Sequence, residues 1–129
     1  MVELVICALN GYVNRNGNPP KEVFLFQNSC TGDQVSLFHV FFIEPLKAKI
    51  KEVFNQTVCL TMIMINVKTN ERFFSSDNNG RANNVAAGTL VSSGLVSPNY
   101  DFYIVSQRSN KGCSVPNHYK VIYSDSEVE

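Results

Sequence analysis

Two short unbroken apolar runs, residues 23–26 (VFLF) and 58–65 (VCLTMIMI), constrain this chain most. Runs of that length read as strands buried on both faces, as in a parallel sheet. Between them Leu46, Ile50, Val53 and Phe54 form the apolar stripe of a helix. Pro45 begins that helix well, because its fixed φ suits the first turn and the N–H it lacks is not needed there. Strand, loop, helix, strand at this spacing predicts a βαβ unit.

The rest of the chain extends this α/β reading. Leu4, Val5, Ala8, Leu9 and Tyr12 share one face of an amphipathic helix, which runs into a strong stop at 16–20 (NGNPP). Residues 28–33 (NSCTGD) read as a loop that caps the next helix. The stretch 66–98 is rich in Asn, Gly and Ser, with one short strand at 88–91 and loops elsewhere. Residues 100–105 (YDFYIV) and 119–123 (YKVIY) supply a third and a fourth strong strand. No internal repeat or domain boundary interrupts 1–129, so one domain is expected.

Composition excludes several classes. Apolar residues make up 44% and charged residues 17%, the opposite of a disordered balance. Eleven Lys and Arg offset eleven Asp and Glu, which excludes a dominant polyanion-binding surface but not a local basic face. Residues 68–120 carry six bases against three acids, and the last nine residues are acidic. That asymmetry is read either as chance with a solvated tail or as a second half facing something anionic. Cys7, Cys30, Cys59 and Cys113 form no C-x-x-C pair and no disulfide framework. Cys7 and Cys59 lie in apolar runs and are expected to be small buried hydrophobes. The start lacks a basic region before an apolar one, so no secretory signal is expected, and no apolar run is long enough to span a membrane. Asn55-Gln56-Thr57 fits a glycosylation sequon, which has no meaning in the reduced intracellular setting expected here.

In open α/β sheets ligands lie beyond the carboxyl ends of the strands. Those segments are 27–33, 66–72 and 106–111, and the last two carry Lys68, Arg72, Arg108 and Lys111. Bases at two of these three adjacent strand ends are expected to make a phosphate-backbone footprint.

The same segments carry a family likeness. Arg72-Phe73-Phe74, residues 84–91 (NVAAGTLV), 100–107 (YDFYIVSQ) and 114–123 (SVPNHYKVIY) occur in that order. Together they resemble the PIWI domain of Argonaute-type proteins, and the Val-Ser-Gln and Val-Ile-Tyr forms resemble the animal Piwi clade, the piRNA branch. The resemblance implies an RNase H-like α/β domain, a mixed sheet with flanking helices, here partial and truncated at both ends. It implies a family that cuts RNA with acidic residues and a histidine holding two Mg²⁺ ions.

The family's catalytic pattern Tyr-Arg-Asp-Gly-x-x-x-Gly-Gln corresponds to residues 26–34 (FQNSCTGDQ), which places Asn28 at the aspartate position. A neutral amide offers one weak oxygen where the metals need a charged, bridging carboxylate. Asp33 reads as a helix cap or first-turn acid rather than a substitute. The family's first Asp and glutamate finger fall before the segment that this chain resembles, and its histidine falls after it. His118 belongs to the Ser-Pro-x-His-Tyr pattern instead, and His39 is expected to be a partly buried structural residue in a helical stretch. The family's MID domain, which grips the guide's 5′ phosphate, is not in the matched segment.

The expected function is therefore a nuclease-inactive PIWI-domain segment that contacts RNA in small-RNA silencing, with no catalytic residues and no metal or cofactor of its own. Mg²⁺ is the cofactor of intact family members. Lys68 and Gln107 correspond to guide-facing positions of the family, and Arg108 and Lys111 complete the expected RNA-binding rim. Val115 stands where the micro-RNA clade has an Arg. Arg72 is either a guide contact or a structural anchor. The expected partners are guide and target RNA, bound weakly, and a protein covering the truncated sheet, with no membrane and a cytoplasmic or nuclear location. A vestigial or protein-interaction fragment that binds no RNA is the alternative.

Overall fold

A computed structural model describes residues 1–28, 39–94 and 101–125. In chain order they form α1 (Val2–Asn16), β1 (Glu22–Asn28), a π-helical turn (His39–Ile43), α2 (Glu44–Phe54), β2 (Cys59–Asn66), β3 (Phe74–Ser76), β4 (Ala82–Asn84), β5 (Thr89–Val91), β6 (Asp101–Val105) and β7 (Asn117–Ser124). The fold is mixed α/β, with a five-stranded sheet in the order β1-β2-β7-β6-β5 and a two-stranded sheet of β3 and β4. The expected loop beyond Asn28, the role of Asp33, the side chain of His39 and Tyr100 lie outside the described residues.

The described residues gather into two compact units. The first comprises 1–25, 39–62 and 122–125. Its core joins Ile6 and Leu9 of α1, Phe42 and Ile43 of the π-helical turn, Leu46 and Ile50 of α2, and Val58, Leu60 and Met62 at β2. Full burial of one such side chain contributes roughly 1.5–3 kcal/mol. Both helix ends follow from sequence. Gly17 caps α1 in the left-handed conformation at φ 82°, and its N–H donates to the Val13 carbonyl at 2.7 Å. Glycine adopts that φ without a Cβ penalty. Asn55 caps α2 in the same way at φ 52°.

The second unit comprises 26–28, 63–94 and 101–121. β5 pairs antiparallel with β6, and β6 antiparallel with β7. β3 and β4 form a hairpin with Phe74 opposite Asn84. Asp77 Oδ1 makes the turn by accepting from the N–H groups of Asn79 and Arg81, and Gly80 supplies a positive φ of 75°.

Four expectations need correction. Stretch 66–98 contains this hairpin as well as β5, because Asp77 and Gly80 form a turn between short polar strands that carry no apolar signal. β1 is not buried on both faces: its burial alternates, with Phe24 55% and Phe26 59% exposed, because alternate side chains point to opposite faces and only one of its faces is covered. β2 has β1 on one side and β7 on the other and is buried along most of its length, as read. The inward face of α1 carries Val2, Val5, Ile6 and Leu9, while Leu4 is 72% exposed and Tyr12 is exposed too; on α2, Val53 is exposed. Finally, Cys7 is exposed and Cys59 only half-buried, since Cys7 lies off the inward face of α1 and Cys59 begins β2.

Candidate nucleic-acid interface

The first unit joins the start of β2 to the end of β7. The Asp125 N–H donates to the Leu60 carbonyl at 2.9 Å, and the Leu60 N–H donates to Asp125 Oδ2 at 3.0 Å. In the second unit Thr69, just past β2, donates through Oγ1 to the carbonyl of Pro116, just before β7, at 2.9 Å. β2 and β7 therefore run in opposite directions. Since β6 is also antiparallel to β7, β2 and β6 point the same way. Their carboxyl ends, with Lys68 past one and Gln107, Arg108 and Lys111 past the other, lie at the same end of the strands. The strand ends are not adjacent as expected, because β7 stands between β2 and β6.

Lys68, Gln107, Arg108 and Lys111 are all exposed. The backbone that carries them is tied by polar contacts of neighbouring residues. The Lys68 N–H donates to Asn66 Oδ1 at 3.0 Å, an Asx turn directly off the strand. Thr69 behind it is buried. Arg72 Nη1 donates to the carbonyls of Thr69 and Glu71, each at 2.7 Å, which makes Arg72 an anchor of this segment.

The loop after β6 is organised from β4. Asn84 Nδ2 donates to the carbonyls of Ser109 at 3.1 Å and Gly112 at 2.9 Å, and Asn84 Oδ1 accepts the Ser114 N–H at 3.1 Å. Within the loop, the Ser109 N–H donates to the buried Ser114 Oγ at 2.9 Å, and Ser109 Oγ donates to the Lys111 carbonyl. Sequence reasoning did not single out Thr69, and read Asn84 and Ser114 only as the first residues of motifs. The available signal was small polar residues at the foot of each basic segment.

His118 takes part in sheet packing. Its Nε2 lies 3.3 Å from Asp101 Oδ2, and its ring stacks on Tyr103 at 4.5 Å, its cross-strand partner. Phe73 meets Tyr103 edge-on at 5.3 Å, so the Arg72-Phe73-Phe74 motif packs an aromatic ring on β6. Burial pushes the Tyr103 hydroxyl above its ordinary pKa, with Glu71 and Asp101 adding to the shift. Val115 is exposed.

Asn28 is the last residue of β1 and is exposed. Among the described residues no three His, Cys, Asp or Glu side chains gather as metal ligands. Asn28 presents a neutral amide at the end of β1. What the described geometry offers is different: cations on short, hydrogen-bonded segments at one end of the strands, suited to phosphate oxygens. Among the described residues no helix is long and apolar enough to cross a membrane.

The family model described as the Piwi domain matches residues 1–129. The chain is 29% identical over 126 residues to the Piwi-like protein Ago3 of Bombyx mori, covering 96% of this chain and 14% of that protein. It is 27% identical over 121 residues to the Piwi-like protein Siwi of Bombyx mori, covering 92% of this chain and 13% of that one. It thus spans about one-seventh of the length of these curated relatives. Among solved structures it superposes on the C-terminal lobe of a budding yeast Argonaute with a TM-score of 0.81 at 23% identity, covering 99% of this chain and 29% of that one. It superposes on Drosophila Piwi with a TM-score of 0.79 at 24% identity, covering 98% and 18%. A Kluyveromyces polysporus Argonaute with a guide RNA gives a TM-score of 0.79 at 23% identity, covering 98% and 17%.

Proposed function

The chain belongs to the Piwi domain family, and from that premise we propose that it is a nuclease-inactive segment whose activity is contact with an RNA backbone in small-RNA silencing. The observation that carries the proposal is the interlocked rim. Lys68 follows β2, Gln107, Arg108 and Lys111 follow β6, and hydrogen bonds hold both segments at the same end of the strands. A solved structure similar to this chain is of an Argonaute with a guide RNA, which supports RNA as the polyanion.

The rim binds through charge. Two lysines, an arginine and a glutamine, with short polar neighbours, suit phosphate and sugar oxygens and carry no pattern for reading base edges. Binding is accordingly weak, independent of sequence and sensitive to salt. Catalysis is absent from this reading, because Asn28 occupies the family's aspartate position and supplies no negative charge for Mg²⁺.

The test is a titration of labelled single-stranded RNA at several salt concentrations. Binding that weakens as salt rises supports the proposal. No binding at low salt refutes it and favours a segment that docks protein alone.

A further inference from the structure

We infer that Asn84 is a positioning residue: one amide side chain holds the 109–114 turn in the shape that presents Arg108 and Lys111 to the RNA backbone. This rests on the RNA-contacting reading above and adds the residue that sets the geometry of half the rim.

An asparagine amide has two N–H donors and one acceptor oxygen. Here Nδ2 donates to Ser109 and Gly112, and Oδ1 accepts from Ser114. Three points of a six-residue turn thus converge on one side chain. The turn is tied across its own base by the Ser109–Ser114 bond, and Gly112 at φ 74° provides the reversal that points its carbonyl at Asn84. Arg108 immediately precedes the first tied residue, and Lys111 lies between two of them.

The clamp is itself mounted on regular structure. Asn84 ends β4 and pairs with Phe74 of β3. β3 starts just after Arg72, which is bonded to Thr69, one residue from Lys68. The hairpin therefore connects both halves of the rim. Arg108, Asn110, Lys111, Gly112 and Cys113 are all exposed, so this turn has little apolar burial of its own to hold it. Fixing its backbone before RNA arrives removes an ordering cost from binding.

The test uses the full 129-residue chain and labelled single-stranded RNA, with Asn84→Ala and the equal-sized Asn84→Asp. The aspartate keeps the acceptor for Ser114 but loses both donors and sets a carboxylate against two carbonyls. Both variants are expected to lose amide-exchange protection at Ser109 as the turn loosens, Asn84→Ala also at Ser114, and both to weaken RNA binding about three- to tenfold. In a chain that already carries Arg108→Ala and Lys111→Ala, the same Asn84 substitutions should have no further effect on binding, whereas a general loss of stability would still weaken the contact through Lys68. Unchanged protection at Ser109 and Ser114 in Asn84→Ala overturns the clamp. An equal loss of binding in the background lacking both bases overturns its role in positioning them. Failure of the unsubstituted chain to bind RNA overturns the proposed function and this role with it, whereas the exchange measurement tests the clamp without RNA.

Discussion

Thr69 Oγ1 donates to the Pro116 carbonyl at 2.9 Å, and both residues are buried. Pro116 is buried just before β7, and a buried carbonyl outside a strand needs a partner from elsewhere. Thr69 provides one and ties the segment after β2 to the segment before β7. Thr69→Val keeps the shape and removes the donor. It should destabilise the chain by about 1–3 kcal/mol, the usual cost of leaving a buried carbonyl unpaired. Thr69→Ser should retain most of the stability. Urea denaturation checks both, and a valine variant as stable as its parent refutes the tie.

The purified chain with Mg²⁺ or Mn²⁺ should not cleave guide-matched RNA. Asn28→Asp alone should not restore cleavage, because no other metal-ligand cluster surrounds the end of β1 among the described residues. A gel assay for guide-dependent product decides this, and cleavage by either chain contradicts it.

Replacing Lys68, Arg108 and Lys111 with Ala should weaken RNA binding. It should also flatten the plot of log affinity against log salt by up to about 2–3, since each lost phosphate contact removes about 0.7–0.9 from the slope. An unchanged slope would mean that RNA meets a different surface.

Lys47 and Asp125 make a stability switch at each pH extreme. Lys47 Nζ donates to Asp125 Oδ1 at 2.6 Å and to the Tyr123 hydroxyl at 2.7 Å. The bonds to Asp125 and then Tyr123 outweigh burial and raise the Lys47 pKa. Burial pushes the Asp125 carboxyl up, but hydrogen bonds from Lys47, Tyr123 and the Leu60 N–H outweigh it and leave the pKa below its ordinary 3.8. A lowered carboxylate pKa stabilises the fold above the ordinary value, and that contribution is lost as pH falls below 3.8 through the folded value. A raised lysine pKa stabilises below the ordinary 10.5, and that contribution is lost as pH rises above it through the folded value. Both side chains retain contact with water, so Asp125→Asn should cost only about 1 kcal/mol at neutral pH. Denaturation midpoints across pH should show a weaker acid fall for Asp125→Asn. An unaltered profile rules out the switch.

β1 is the outermost strand, with Phe24 and Phe26 exposed on one face. An unprotected apolar edge favours association with another strand. The isolated chain should therefore self-associate as its concentration rises, and Phe24→Lys with Phe26→Lys should suppress this by placing like charges on the edge. Sedimentation velocity measures it, and a monodisperse parent at high concentration defeats the prediction.

Patterns confined to neighbouring residues were legible in the sequence. Pro45 and the stripe of Leu46 and Ile50 gave α2, the run 58–65 gave β2, and Gly17 ended α1. The motifs around Phe73, Asp101 and His118 gave the family, and in the structure they pack together, Phe73 just before β3 against β6 and β6 against β7. Tertiary structure alone decided three further things. It chose the inward face of α1, which offers apolar residues on several sides, so that the core contacts, not periodicity, bury Ile6 and expose Leu4. It inserted β7 between β2 and β6, since local sequence does not encode which distant strands share a ladder. It also brought Asn84 onto Ser109, Gly112 and Ser114. An asparagine amide can bond to its own turn, to water or to a distant loop with similar energy. Which of these it does depends on where the β3–β4 hairpin places it, and that is fixed only when the chain has folded.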